Sequence, residues 1–166
     1  MKSLYLIRHA KSSWADENLD DFDRPLNKRG KNDAPEMGRR LAKKIKADLI
    51  ITSSAKRAQK TAELIADELD YPRNHLQIVD DLYASEAATL LQTICQTSDK
   101  INILLLVAHN PEITILAEFL ATKSFENIPT CGIVAIKFAT ESWQEITPTL
   151  AKFEFFDYPK RKETDE

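Results

Sequence analysis

Glycine is scarce. Only three glycines occur in 166 residues, and none falls in a GxGxxG or GxxxxGK arrangement, so a backbone cradle for nucleotide phosphates is not expected. Cysteine is nearly absent as well: Cys95 and Cys131 stand far apart in apolar surroundings and without CxxC spacing, which argues against a disulfide framework and suits reduced, packed thiols of a cytoplasmic protein. No apolar run approaches the roughly 20 residues of a membrane span. The opening MKSLYLIRHA meets a charge at Arg8 too soon for a secretory signal. Nor is there an excess of positive charge. With 23 basic against 26 acidic residues, the net charge of −3 and pI near 5.7 provide no global field for nucleic acid or anionic lipid. Any anion site must be local. What the chain has is 43% hydrophobic content, enough for one compact domain over 1–158 without staples. The segment PKRKETDE, 159–166, is too polar to offset the entropy of ordering and is expected to fray.

Apolar, β-rich runs at 3–8 (SLYLIR) and 101–108 (INILLLVA) have the continuous character of parallel strands buried on both faces. Helical spacing follows at 29–46, then a strand at 48–52, a helix at 55–69, a weaker strand at 76–79 and a helix at 86–97. After the second long run, Pro111 opens a helix reaching about 121. This alternation predicts an α/β fold. The last two strands, 133–138 and 149–156, have no room between them for a crossover helix and should form an antiparallel edge hairpin. A long polar loop, 10–28, follows the first strand, where ligands of open α/β sheets bind.

Three predicted strands end in cationic or imidazole residues: Arg8-His9, Arg57 shortly after the second strand, and His109. Parallel pairing would bring these ends together. Singly, each has an ordinary explanation as a solvated cap, a surface charge or a polar turn. Together their chemistry agrees. Guanidinium forks match the equatorial oxygens of a phosphoryl group in flight. A neutral imidazole held by a backbone carbonyl can attack phosphorus, and a second, protonated imidazole would add positive charge. The remaining histidine, His75, reads as an exposed loop residue.

LIRHAKS resembles the Arg-His-Gly/Ala signature of the histidine phosphatase superfamily, also called phosphoglycerate mutase-like. RPLNKRG at 24–30, TSSAKRAQKTAELIA at 52–66 and VAHNP at 107–111 resemble the family's other segments, in the family's order. The resemblance implies a three-layer α/β/α sandwich on a mostly parallel, mixed sheet. It also implies metal-independent, cofactor-free catalysis through a phosphohistidine on His9, with Arg8, Arg57 and His109 completing the phosphate pocket. Ser54 and Asn110, beside motif positions, are candidates for further hydrogen bonds to substrate.

The short chain, with no insertion long enough to roof the site, looks most like phosphohistidine phosphatases of the SixA type. Such a likeness implies a phosphohistidine-carrying protein domain as substrate. Many family members place an acidic group after the third strand; Asp81 is the nearest positional match here, with Glu86 or water as alternatives. Arg24 could reach the phosphate or pair with a neighbouring aspartate, and the ion pair is favoured. Trp14 is expected to pack against its own loop rather than meet a partner. Rival readings are a phosphatase of small esters, a phosphoprotein-binding module, for which an intact His9 would be superfluous, and a metal-dependent hydrolase using His9, His109 and carboxylates such as Asp16, Asp20, Asp21 and Asp23. The last is disfavoured by the adjacent Arg8 and the absence of close ligand spacing.

Overall fold

The computed structural model describes residues 1–161. Strands β1 (Lys2–Arg8), β2 (Leu49–Ser53), β3 (Gln77–Val79) and β4 (Ile103–Ala108) run parallel. Strands β5 (Ile133–Phe138) and β6 (Ala151–Asp157) close one edge as an antiparallel hairpin, giving one six-stranded sheet in the order β3-β2-β4-β1-β5-β6. Helices α1 (Lys28–Ala42) and α2 (Lys56–Glu68) cover one face, and α3 (Ala87–Cys95) and α4 (Glu112–Ala121) the other.

Strand alternation builds the three layers. Tyr5, Ile7, Ile50, Leu105 and Val107 pack toward Met37, Leu41 and Ile65. Their neighbours Leu4, Leu6, Ile51, Leu104 and Leu106 pack toward Leu90, Ile94, Ile113 and Leu120. A strand buried on both faces must be apolar at every position, which is why β1 and β4 stand out as unbroken runs. Cys131 belongs to the first of these cores, fully buried.

The predicted elements all occur, with shifted ends. The first helix stops at Ala42 rather than 46, because Lys44 and Ile45 both turn their N–H groups back to the Leu41 carbonyl. The third ends at Cys95 rather than 97. Of the tail expected to fray, residues 162–166 lie outside the described residues; Pro159 is held through its carbonyl by Arg40 at 3.2 Å.

The loop after β1 folds back on itself beside the sheet. Ser12 bridges Leu26, and Ser13 N–H donates to Pro25. Asn27 caps α1 by accepting from Gly30 N–H at 2.8 Å. Gly30 is required by contact: a Cβ there would stand 2.2 Å from the Lys11 carbonyl oxygen. The start of α1 is thereby clamped to the residues that follow His9.

Candidate active site

Register decides what meets at the carboxyl end of the sheet. Ile7 pairs with Val107, Arg8 with Ala108, and Thr52 with Val107. The next residues along these three strands, His9, Ser53-Ser54 and His109, therefore emerge side by side. The His9 and His109 rings lie 5.1 Å apart between centroids.

His9 is 8% exposed. Its Nδ1–H donates to the carbonyl of Ala10 at 2.7 Å, which leaves Nε2 with its lone pair for the pocket. The Ala10 N–H is in turn anchored on Thr61 Oγ1, itself donating to the Arg57 carbonyl. Burial lowers the His9 pKa to about 3, against the Ala10 carbonyl and with help from His109, Arg57 and Arg8. His9 is neutral at neutral pH, the form a nucleophile requires.

His109 is 7% exposed, and Ser53 Oγ meets its Nε2 at 2.8 Å. With Ser53 Oγ, which also accepts from Ala55 N–H, donating its hydrogen to Nε2, the ring proton sits on Nδ1. That Nδ1 is buried with no partner among the described residues. Burial first, then Arg57 and Arg8, lowers the His109 pKa to about 4 despite the opposing pull of Asp21. The second imidazole is therefore neutral at neutral pH rather than the cation expected from the sequence.

These shifts have a measurable sign. In the unfolded chain both rings take up a proton near pH 6.5, whereas the folded protein resists until about 4 for His109 and about 3 for His9. Between those values the unfolded state binds more protons. Stability from the neutral rings is thus full above pH 6.5 and lost as pH falls toward 3. The melting temperature should decline over this interval, and less steeply in His9→Ala. Protonation of the His9 ring near pH 6.5 by NMR would contradict this arrangement.

The arginines divide the remaining work. Arg8 donates through Nη1 to the Ile128 carbonyl at 2.9 Å, while its buried Nε has no partner among the described residues. Arg57, 7% exposed, is gripped by one residue: Nη1 donates to the Asp21 carbonyl at 2.6 Å and Nη2 to Asp21 Oδ2 at 2.9 Å. Asp21 also accepts from Tyr83 Oη at 2.7 Å and from Arg24 at 2.9 Å. Partial burial pushes the Asp21 carboxyl up, but the hydrogen bonds from Tyr83, Arg24 and Arg57 prevail and hold it well below the usual range. The Tyr83 ring stands edge-on to His109, 5.7 Å between centroids.

Other expected participants are placed differently. Arg24 makes the favoured ion pair with Asp21, and its other nitrogens donate to Ser13 O and Ser12 Oγ, so it builds the wall of the pocket. Asn110 is fully engaged elsewhere: Oδ1 accepts from Thr114, and Nδ2 donates to Asn127 and Ile128. Its expected contact with substrate gives way to capping α4 and tying down the 127–128 loop. Ser54 Oγ is buried and without a partner among the described residues. The residue also lines a cavity of about 540 Å³ with Phe22, Leu26, Lys31, Lys56 and Lys60; neither His9 nor His109 is among the lining residues.

Asp81 and Glu86 are both exposed, and the side chain that reaches His109 from this segment is Tyr83. Trp14 rests against its own loop through the Arg24 guanidinium, 3.2 Å from the ring centroid, and is otherwise 71% exposed. His75 is exposed, as expected. Tyr83, Ser53 and Thr61 went unassigned in the sequence, although Ser53 and Thr61 lie within the TSSAKRAQKT segment, and Asp21 entered only among the carboxylates of the metal-dependent reading. Among the described residues, no group of three or more His, Cys, Asp or Glu is placed to hold a metal ion, and no helix is long and apolar enough to cross a membrane.

With this geometry in hand, the family model described as histidine phosphatase superfamily (branch 1) matches residues 4–83. The chain belongs to that superfamily. An uncharacterised Mycobacterium tuberculosis protein is 32% identical over 165 residues, covering 93% of this chain and 100% of its own length. A 2,3-bisphosphoglycerate-dependent phosphoglycerate mutase of Bartonella bacilliformis is 34% identical over 88 residues, 51% of this chain and 42% of the mutase. In fold, the superfamily member described here matches the structure of the protein histidine phosphatase SixA complexed with tungstate at a TM-score of 0.80. Sequence identity in that match is 18%, with 95% of this chain and 97% of SixA covered.

Proposed function

We propose that this superfamily member is a phosphohistidine phosphatase that works through a phosphorylated His9 and acts on histidine phosphorylated within a protein. The observation that carries the reading is the His9 ring, neutral and fixed by Ala10 with Nε2 free. In the first step Nε2 forms a bond to phosphorus while the bond from phosphorus to the substrate's imidazole nitrogen breaks. The substrate ring keeps that electron pair and, with a proton on its distal nitrogen, departs neutral. Arg8, Arg57 and His109 Nδ1–H hold the equatorial oxygens. Water then attacks the phosphohistidine, and inorganic phosphate leaves with His9 restored.

Two features support this substrate. Asp21, the carboxylate nearest the pocket, is held ionised by its partners, and Asp81 and Glu86 face solvent. Among the described residues no carboxylic acid is hydrogen-bonded to His9 or His109, and without such an acid an alkoxide departs slowly, whereas an imidazole leaves readily. In addition, the loop after β1 carries exposed Trp14, Leu19 and Phe22, the last in contact with Tyr83, which meets His109; such a surface suits a side chain presented on a protein. The second reading, a phosphatase of small esters, draws on the Ser54 cavity, whose lysines could take an anionic leaving group.

The test is phosphate release from a histidine-phosphorylated carrier protein against a panel of sugar phosphates and nucleotides, with His9→Ala as background. Faster His9-dependent release from the carrier is expected. Preference for a small ester would overturn the substrate assignment and direct attention to Ser54 and its cavity.

A further inference from the structure

The loop from β1 to α1 presents WADENLDDFD, residues 14–23, at the mouth of the site. Trp14, Leu19 and Phe22 are exposed by 71%, 38% and 38%. Between them stand Asp16, Glu17, Asp20 and Asp23, all exposed, and none is in an ion pair among the described residues. Asp21 alone is turned inward to Arg24 and Arg57.

This surface is braced. The Trp14 indole lies on the Arg24 guanidinium, which is itself tied to Ser12, Ser13 and Asp21. Phe22 meets Tyr83 edge-on at 5.0 Å, and Tyr83 meets His109. Two aromatic anchors are thus held in place, one of them in direct contact with the pocket wall, so little side-chain entropy is lost when they are covered.

The charge has a definite consequence. Four unpaired carboxylates stand beside a pocket built for an anion, on a chain that is already net negative. A free phosphate ester approaching the mouth meets repulsion. A phosphorylated side chain set among lysines and arginines is attracted instead, because its surroundings complement the loop. We propose that residues 14–23 form a docking rim for a protein surface bearing cationic and apolar residues around the phosphorylated side chain. The inference rests on the protein-substrate reading above and adds to it the chemical character of the partner.

Two histidine-phosphorylated peptides of equal length, one with Lys/Arg flanks and one with Glu flanks, test it. The basic peptide should be hydrolysed with kcat/KM at least about tenfold higher, and the difference should shrink as salt is added. In the double variant Glu17→Lys/Asp20→Lys the preference should vanish or reverse, while kcat on p-nitrophenyl phosphate is unchanged. Equal rates on the two peptides, or a preference that survives the double variant, would overturn the proposal.

A binding measurement separates this outcome from failure of the phosphohistidine reading. The unphosphorylated peptides are titrated into His9→Ala protein and followed by tryptophan emission. Trp143 is fully buried and Trp14 exposed, so a change reports the rim. Tighter, salt-sensitive binding of the basic peptide supports docking even if neither peptide is a substrate. Indifferent binding overturns it even if both are hydrolysed.

Discussion

His9→Ala should lower kcat by at least about 10⁴-fold on every phosphorylated substrate, with the fold and the affinity for inorganic phosphate retained. The backbone bonds at this position, His9 N–H to Ala108 and Cys131 N–H to the His9 carbonyl, do not involve the ring. The pocket's donors on Arg8, Arg57 and His109 also survive the substitution. What is lost is the buried Nε2 lone pair that the Ala10 carbonyl orients, and with it the covalent intermediate proposed above. Acid quenching would destroy that intermediate, since phosphohistidine is acid-labile and stable in alkali. An alkaline quench of wild-type protein turning over a labelled substrate should therefore retain label on the chain, and the variant should retain none. Turnover in the variant within tenfold of wild type would mean that another group attacks phosphorus.

The parts of this arrangement that were readable before the fold was known share one property: they are local in sequence. Strands β1 and β4 are buried on both faces, so their apolar runs end where the polar site begins, and Arg8, His9 and His109 could be placed by that change alone. The terminal hairpin followed from the spacing of two strand patterns. Asp21 was not readable, because the loop has no periodicity and Asp16, Asp20, Asp21 and Asp23 are alike in sequence. Which of them turns inward is decided by Arg24 and Arg57, the latter arriving from α2. Tyr83 was obscured by its neighbour Asp81 for a related reason, since a short 3₁₀ turn over Asp80–Leu82 sets which side chain of that segment faces His109. Asn110 misled in the opposite direction: its place beside His109 suggested substrate, yet its amide is consumed by Thr114, Asn127 and Ile128.

Arg57→Lys should be nearly as damaging as Arg57→Ala, each lowering kcat/KM by about 10³-fold. The reason lies in how the guanidinium is shared. Asp21 takes one hydrogen from each Nη, one through its carbonyl and one through Oδ2, and this grip on the end of the fork leaves its side edge, Nε–H with the second hydrogen of an Nη, for two phosphoryl oxygens. A lysine supplies one charge from one point and cannot serve Asp21 and a pair of oxygens together. Losing two charge-assisted hydrogen bonds at about 1.5–3 kcal/mol each accounts for the size of the effect. Asp21→Asn separates orientation from attraction. The amide keeps the carbonyl grip and removes a negative charge near the pocket, so affinity for phosphate should rise or hold, while kcat falls by about tenfold as Arg57 loses alignment. If Arg57→Lys retained most of the wild-type kcat/KM, the fork would be contributing charge alone, and the grip by Asp21 would have no catalytic consequence.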